Sequence, residues 1–385
     1  LADRLIQLCG GVSDREFQDQ LLDTMDLERE RGITIKSNTI TLAYEAEDGE
    51  TYTFNLIDTP GHVDFAHEVR RSLMSCEGAL LLVDATQGVE AQTLANVYLA
   101  LEQELEILPV INKIDMEAAD VDRVLEEIDE ELGLDPFEAI PVSAKVGDGI
   151  EELLEAIVEK LPAPKVDLEA PLKALIFDAE YNAYRGVVLF VRVVDGLISP
   201  GQTIRLMHNG AEYEVEEVGL LQLQRVQQKQ LGSGSVGYVI AGIRAIDDID
   251  IGDTITDATN PTTEPFAGYV EAKPVVFSSV FPVSNDDYED LARALDKLKL
   301  NDAALTFQKD SSSALGFGFR CGFLGMLHLD VVQERLSREF DLSLLLTAPS
   351  VEFRVTTADR QTHIIENPAE YPDPAMIELA EEPYI

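Results

Sequence analysis

Short apolar runs alternate with helical segments over the first 160 residues, and this alternation constrains the fold more than any other feature. The apolar runs are TYTFNLIDT, GALLLVDA, EILPVINKID and EAIPVSAK. In the segments between them, apolar residues recur at helical spacing, which predicts helices of about 10 to 15 residues. Strands separated by such helices need crossover connections, which predicts a doubly wound, mainly parallel sheet. Ligands of these sheets bind beyond the carboxyl ends of the strands, so we expect the functional residues there.

Two further patterns follow along the chain. After the Pro-rich acidic linker LPAPKVDLEAP, closely spaced strands with Gly turns predict an antiparallel β-barrel. The next segment alternates as strand, helix, two strands, helix and strand, which predicts a ferredoxin-like sandwich. We therefore expect a multidomain protein of α/β, β-barrel and α+β parts. The predicted bounds are 1–165 for the α/β domain, 170–262 for the barrel, 270–348 for the sandwich and 349–385 for the start of a further, truncated domain.

The charge balance limits the partners of the chain. There are 29 Lys and Arg residues against 72 Asp and Glu residues, a formal net charge of −43. This excess argues against a broad basic surface for DNA, and any contact with RNA must be local. Because self-repulsion at this charge is relieved by salt, the composition predicts a halophilic protein. The alternative is an ordinary protein with acidic, solvated helices.

The cysteines and the apolar runs indicate the compartment. Cys9, Cys76 and Cys321 lie far apart, with no spacing suited to zinc or to a disulfide framework. No apolar run approaches the roughly 18 residues of a membrane helix. We therefore predict a protein of the reducing cytoplasm.

The stretch NLIDTPGH combines a carboxylate, a glycine and an imidazole at the end of an apolar run. An aspartate there, Asp58, can hold the hydration shell of a Mg²⁺ ion. Gly61 lets its backbone N–H approach a terminal phosphate, since it has no Cβ. His62 then points to where an attacking water would stand, and phosphoryl transfer depends on such positioning. The alternative is a strand capped by a turn at 59–61.

A second apolar run ends in NKID, Asn112 to Asp115. Guanine presents two adjacent donors, N1–H and N2–H₂, which the carboxylate of Asp115 can accept together, whereas adenine has no such pair. A site built around that edge rejects the analogue lacking it by a factor of about 10⁴ to 10⁵. Asn112 would tie loops together, and Lys113 would lay its methylene stem along the base. The run SAK, Ser143 to Lys145, ends the next strand, and its backbone amides can donate to guanine O6.

The fourth element is RGITI, Arg31 to Ile35. Thr34 on a mobile loop can contact Mg²⁺ and the terminal phosphate, so that the loop is ordered only while that phosphate is present. Taken alone, RGITI is better explained as a β-branched strand opened by a glycine. The order RGITI, DTPGH, NKID and SAK, with each element at a strand end or in a loop, favours the joint functional interpretation.

These four elements resemble the G2 to G5 motifs of the translational GTPases. The runs LERERGITIK, FPVSNDDYEDLARALDKLKLNDAAL and SSALGFGFRCGFLGMLHLD resemble the elongation factor 4 (LepA) family over essentially all 385 residues. The resemblance implies a GTPase domain at 1–165, with GTP and Mg²⁺ as cofactors, and a hydrophobic gate at Ile33 beside His62. It implies the following roles: Thr34 and Asp58 near Mg²⁺, with Asp58 acting through water, Gly61 at the γ-phosphate, His62 orienting water, Asn112, Lys113 and Asp115 reading guanine, and Ser143, Ala144 and Lys145 backing them.

One motif of the family does not occur in the sequence. A P-loop, GxxxxGK[ST], cradles phosphates with backbone N–H groups, a lysine and a hydroxyl. No Gly-Lys pair occurs in the 385 residues. In the family the LADRL segment directly follows the P-loop. We therefore interpret the chain as a fragment whose parent carries the loop upstream and further domains downstream, and we expect the fragment alone to be inactive.

The resemblance also implies the function of the parent protein. It implies a ribosome-dependent GTP hydrolase that acts on ribosome-bound tRNAs as a fidelity or back-translocation factor under stress such as high salt. The implied partners are ribosomal RNA, ribosomal proteins and tRNA, with a monomeric, cytoplasmic protein off the ribosome. A peripheral association with the cytoplasmic face of the membrane is also compatible with the resemblance. Two alternatives stay open: an elongation factor G-type translocase, and, for this fragment, a ribosome-binding module without turnover.

Overall fold

The computed structural model describes residues 1–12, 20–182, 184–245, 248–267, 273–302, 304–312, 314–351, 353–365 and 371–382. The chain divides into two compact units, Leu1–Tyr269 and Val270–Ile385. The first contains the parallel sheet and a large antiparallel sheet, and the second contains two smaller antiparallel sheets.

Six α-helices are described in the first unit and two in the second. They are α1 Ala2–Leu8, α2 Asp26–Arg31, α3 Ala66–Leu73, α4 Ala91–Glu102, α5 Val121–Glu127, α6 Ile150–Lys160, α7 Tyr288–Asn301 and α8 Met326–Phe340. Local chemistry sets several ends. Gly32 adopts a left-handed conformation with φ of 66° and ends α2. The Asp120 carboxylate accepts the Arg123 N–H and caps the start of α5.

The first five strands form a hairpin and a parallel sheet. The strands are β1 Asn38–Glu45, β2 Thr51–Asp58, β3 Gly78–Asp84, β4 Glu106–Asn112 and β5 Ile140–Pro141. β1 and β2 are antiparallel, whereas β3, β4 and β5 are parallel. Leu108 and Val110 pack with α6, and Ile111 packs on the other face with α5. Helices cover both faces of the sheet, so the carboxyl ends of the strands are where polar residues can meet a ligand. At those ends, Asp84 of β3 lies opposite Asn112 of β4.

A cavity separates the hairpin from the parallel sheet. It has a volume of about 880 Å³ and lies along the facing edges of β2 and β3. Its walls are mostly apolar, including Phe54, Leu56 and Leu80. Asp58, Gly61 and Asp84 also line it. The cavity therefore reaches the DTPGH loop predicted to bind phosphate.

The rest of the first unit is antiparallel. Its strands are β6 Lys173–Asn182, β7 Gly186–Asp195, β8 Leu197–Ile198, β9 Thr203–Leu206, β10 Glu212–Glu214, β11 Glu217–Leu221, β12 Arg225–Gln228, β13 Leu231–Gly232, β14 Val236–Ile240 and β15 Thr254–Asp257. Eight of them form one sheet in the order β10-β9-β15-β6-β7-β14-β11-β12, and β13 pairs with β8. We call these ten strands the barrel.

The second unit has the predicted sandwich. Its strands are β16 Val276–Pro282, β17 Thr306–Ser312, β18 Gly316–Phe323, β19 Leu344–Leu346, β20 Phe353–Thr357, β21 Thr362–Ile365 and β22 Ile377–Glu381. The first four form a sheet in the order β17-β18-β16-β19, which is the ferredoxin-like order for a βαββαβ chain. Leu291, Leu295 and Leu336 of α7 and α8 pack on this sheet. The predicted fold class is confirmed, whereas the individual domain boundaries stay predictions.

Candidate functional site

Asn112 joins the two loops predicted to read guanine. It is the last residue of β4, and its side-chain oxygen accepts the Lys113 N–H at 2.8 Å and the Ala144 N–H at 3.1 Å. A single amide therefore holds the NKID turn and the SAK turn together. Lys113 has a φ of 69°, a left-handed conformation that costs a non-glycine residue about 1 to 2 kcal/mol. The bond from its N–H to Asn112 helps to maintain this turn.

Asp115 and Ser143 complete this corner. The buried Ser143 hydroxyl donates to Asp115 Oδ1 at 2.7 Å and accepts the Val146 N–H at 3.1 Å. Asp115 itself is exposed at the edge of the sheet. A carboxylate oriented by a buried hydroxyl and open to solvent is suited to accept two adjacent N–H groups of a planar base.

Lys113 has a second partner at the end of the neighbouring strand. Its Nζ lies 2.7 Å from Asp84 Oδ2. Burial would raise the pKa of Asp84, but hydrogen bonds from Lys113 and Thr86 outweigh it and hold the pKa at about 2. This ion pair fixes the lysine stem across the carboxyl edge of β3 and β4.

Helix α1 supports the SAK turn from outside. Arg4 Nε donates to the Ala144 carbonyl at 3.0 Å, and Arg4 Nη2 donates to the Lys145 carbonyl at 2.8 Å. The two bonds restrain the backbone of the SAK turn on this side. We call Asn112, Lys113, Asp115 and residues 143–145 the guanine corner.

The RGITI loop is held by a buried carboxylate. Glu28 is fully buried, and its carboxylate accepts the N–H groups of Met25 at 3.0 Å, Ile35 at 3.0 Å and Lys36 at 3.1 Å. The Thr34 hydroxyl donates to Asp23 at 3.2 Å. The half-buried Ile33, predicted to gate His62, is held through its N–H to the Glu28 carbonyl at 3.3 Å.

Asp58 lies at the end of β2 among other carboxylates. Burial raises its pKa to about 6, and the nearby charges of Asp23, Asp3 and Glu28 contribute to this rise. Asp23 therefore links the two predicted Mg²⁺ residues, because it accepts from Thr34 and repels Asp58. A small divalent cation bound near Asp58 would relieve this repulsion between carboxylates.

Gly61 and His62 lie at the surface, three and four residues after Asp58. Apart from Gly61 and its two chain neighbours, no atom of the described residues lies within 4 Å of the place where a Cβ on Gly61 would stand, so a close ligand has room there. His62 Nδ1 accepts the Asp64 N–H at 3.1 Å, and the ring packs edge-on against Phe65 at 6.3 Å between centroids. The structure thus places His62 just before α3, apart from the guanine corner.

The predicted residues fall into two groups, and four supporting residues were missed. Thr34 and Asp58 share Asp23, and Gly61 and His62 follow Asp58 in the same loop. The missed residues are Arg4, Asp23, Glu28 and Asp84. Asp84 could have been found from the sequence, because it ends the apolar run GALLLVD just as Asn112 ends its own strand. The other three have no local signal, because their partners lie on different segments.

The residues present fit GTP and Mg²⁺. The guanine corner offers a carboxylate, and the DTPGH loop offers open space at a glycine. Within the described residues, no group of three His, Cys, Asp or Glu side chains is placed to hold a metal unaided. Mg²⁺ in nucleotide sites keeps several waters and is bound through one or two protein groups and the substrate phosphates.

Comparison with known proteins decides the family. Residues 1–163 match the Elongation factor Tu GTP binding domain, 186–256 match Elongation factor Tu domain 2, and 272–348 match Elongation Factor G, domain III. Over all 385 residues the chain is 64% identical to Elongation factor 4 2 of Rhodopirellula baltica and 60% identical to Elongation factor 4 of Desulfosudis oleivorans. The chain belongs to the elongation factor 4 family.

The match to elongation factor 4 proteins covers part of their length. The chain spans 64% of each of those two relatives and 63% of the Streptococcus suis protein, to which it is 58% identical. A crystal structure from Thermus thermophilus shares the fold, with a TM-score of 0.75 and 18% identity over 92% of this chain and 66% of that one. In the part of this chain that the structure describes, no helix is long and apolar enough to cross a membrane.

Proposed function

We propose that this chain is the guanine-reading and ribosome-facing part of a ribosome-dependent GTP hydrolase. The observation that carries the proposal is the guanine corner, in which one amide, Asn112, holds the NKID and SAK turns together. Asp115 is presented at its edge by Ser143. The relatives named elongation factor 4 support the ribosome as the place of action.

Guanine is distinguished from adenine at Asp115. Its carboxylate accepts N1–H and N2–H₂ of guanine, whereas adenine would leave the carboxylate without donors. The Lys113 stem, fixed by Asp84, covers one face of the base. The backbone of the SAK turn, including Ala144 and Lys145, lies beside the exocyclic oxygen. The base is therefore held by groups that are already placed.

The phosphate end is formed by Thr34, Asp58 and Gly61. Thr34 and, through water, Asp58 would hold Mg²⁺, which when bound neutralises charge on the β- and γ-phosphates. The N–H of Gly61 would approach the terminal phosphate. Thr34 would exchange its bond to Asp23 for the ion, so the RGITI loop is ordered differently with GTP and with GDP.

His62 orients the attacking water by donating a hydrogen bond. Since Nδ1 accepts the Asp64 N–H, the neutral ring carries its proton on Nε2. An Nε2–H group fixes the orientation of a water oxygen, and it does not remove a proton from that water. The role proposed for His62 is therefore positioning, which is the main demand of phosphoryl transfer.

A phosphate loop is also required, and we expect it in a segment upstream of Leu1. The cavity of about 880 Å³ between β2 and β3 supports this proposal. A strand entering it would run between two strand edges and end beside Asp58 and Asp84, which line the same cavity. In this account the 385 residues alone do not hydrolyse GTP.

We further propose a role on ribosome-bound tRNAs, in fidelity or in back-translocation, under stress such as high salt. The names of the relatives support a translation role for this chain. The net charge of −43 supports a salty cytoplasm. In this role the protein is monomeric off the ribosome.

Calorimetric titration tests the nucleotide proposal. The full-length protein is titrated with GTP and with ATP in Mg²⁺ and molar KCl, and the 385-residue chain serves as the comparison. We expect the full-length protein to bind GTP at least about 10³-fold more tightly than ATP. Equal affinities would contradict the role of the guanine corner. Tight GTP binding by the 385 residues alone would contradict the need for an upstream phosphate loop.

A further inference from the structure

One barrel side chain contacts both segments that follow the predicted phosphate loops. Asp178 of β6 lies 2.9 Å through Oδ2 from Lys36 Nζ, and 3.6 Å through Oδ1 from Arg71 Nη2. Lys36 directly follows RGITI, and Arg71 lies on α3, which begins four residues after His62. A single carboxylate therefore joins the two loops to the barrel.

The strand is deformed where it makes these contacts. β6 pairs Ile176 with Val191 and Asp178 with Phe190, so Phe177 is an extra residue in the ladder. This bulge turns the Phe177 carbonyl out of the sheet, where it accepts from Arg71 Nη2 at 3.0 Å. A bulge changes the direction in which nearby groups point. Here the Phe177 carbonyl and the Asp178 carboxylate both face the Arg71 guanidinium.

The contact region is buried and balanced in charge. Asp178 is 7% exposed and Arg71 is 2% exposed. Arg71 Nη1 also pairs with Glu68 at 2.9 Å, so two cations meet two carboxylates. The Ser72 hydroxyl of α3 lies 2.8 Å from the Ser37 hydroxyl, a second link between the two segments. Removing the Asp178 charge leaves one cation uncompensated at a buried position.

We propose that Asp178 is a positioning residue that fastens the end of the RGITI loop and helix α3 to the bulge of β6. Glu28 accepts the N–H groups of Ile35 and Lys36, and the Lys36 side chain pairs with Asp178 of the barrel. A rearrangement of Thr34 on phosphate binding then acts on Lys36, two residues away. The barrel is thereby coupled to the state of the nucleotide. This inference rests on the proposed GTPase function.

A double-mutant cycle on the full-length protein tests the coupling. Asp178→Asn, Lys36→Met and the double variant are titrated with a non-hydrolysable GTP analogue and with GDP. We expect the ratio of the two affinities to fall about fivefold in each single variant and no further in the double variant, because both changes remove the contact between Asp178 and Lys36. Additive effects, or ratios unchanged within twofold in both single variants, would overturn the proposal.

The matched control is Asp253→Asn. Asp253 is also a buried barrel aspartate, but its carboxylate accepts from the His208 and Thr254 N–H groups within the barrel. Asp253→Asn should leave the affinity ratio unchanged, and an equal change in the ratio would show that the effect of Asp178→Asn is not specific to its contacts with Lys36 and Arg71. If Asp178→Asn does not fold, the affinity ratio of Lys36→Met decides the test, because in that variant Asp178 keeps its contact with Arg71.

Hydrogen exchange on the 385-residue chain separates this proposal from the proposed function. If the wild-type full-length protein does not discriminate GTP from ATP, the GTPase proposal fails and the affinity ratio loses its meaning. The fastening by Asp178 is then still measurable. We expect Asp178→Asn to speed exchange at least tenfold in both 36–38 and Ala66–Leu73. Unchanged exchange in either segment would overturn the fastening role.

Discussion

At the scale of single residues, the site depends on side chains that bond to backbone N–H groups of other segments. Asn112 spans two turns, and Glu28 holds three N–H groups from two segments. Such residues hold separate turns of the chain together. Truncating them costs the bond and leaves the partners unpaired.

Asn112→Ala should weaken GTP binding by the full-length protein. The N–H groups of Lys113 and Ala144 lose their acceptor, and the two turns separate from each other. We expect a loss of at least about tenfold in affinity, equivalent to about 1.4 kcal/mol, measured by calorimetry. Asn209→Ala, at an exposed barrel turn, is the control and should change nothing. Unchanged affinity in Asn112→Ala would show that the turns hold without the amide.

Glu28→Gln should destabilise the 385-residue chain although it conserves shape. The carboxylate accepts on both oxygens, and an amide must direct its NH₂ group toward at least one N–H donor. We expect a loss of about 1 to 3 kcal/mol in the free energy of unfolding, measured in urea. Glu102→Gln, in an exposed pair with Arg70, should stay within about 0.5 kcal/mol. Equal stability of Glu28→Gln and the wild type would contradict this account of the loop.

At the scale of elements, the parallel sheet explains what the sequence could predict. Asn112 and Ser143 follow apolar runs, so the rule that functional residues lie at the carboxyl ends of parallel strands was enough to place them at one edge. Asp58 also follows an apolar run, but it ends the antiparallel strand β2, which lies outside the parallel sheet. The bulge at Phe177 and the contacts of Asp178 could not be predicted, because they depend on which strand packs against α3. The contacts of Asp23 with Thr34 and of Glu28 with Ile35 could not be predicted either, because they form only in the folded chain.

The end of β15 gives a prediction about pH. Burial would raise the pKa of Asp257, but hydrogen bonds from Thr259, Gln202 and Asn260 outweigh it and lower the pKa to about 2. A lowered pKa stabilises the folded state above the unfolded value near 4, and this stability is lost as the pH falls toward 2. Asp257→Asn should therefore cost about 1 to 2 kcal/mol at pH 6 and progressively less from pH 4 to 2. Urea unfolding at pH 6 and 3 measures this, and a pH-independent difference would contradict it.

At the scale of the whole molecule, net charge sets the response to salt. A formal charge of −43 repels itself, and the Debye length shortens from about 10 Å at 0.1 M to about 3 Å at 1 M salt. If the acidic excess is a halophilic adaptation, the midpoint of thermal unfolding should rise by several degrees between 0.1 and 2 M KCl. Sorbitol at matched osmolality should raise it less. A flat or falling midpoint in KCl would favour the alternative of ordinary acidic helices.

The most direct test of GTP hydrolysis is ribosome-stimulated turnover by full-length His62→Ala. The imidazole is proposed to orient water and to take no part in binding, so turnover should fall at least about 100-fold while GTP affinity stays within twofold. His208→Ala, at an exposed histidine of the barrel, should keep full turnover. Wild-type turnover by His62→Ala would contradict the role given to the DTPGH loop.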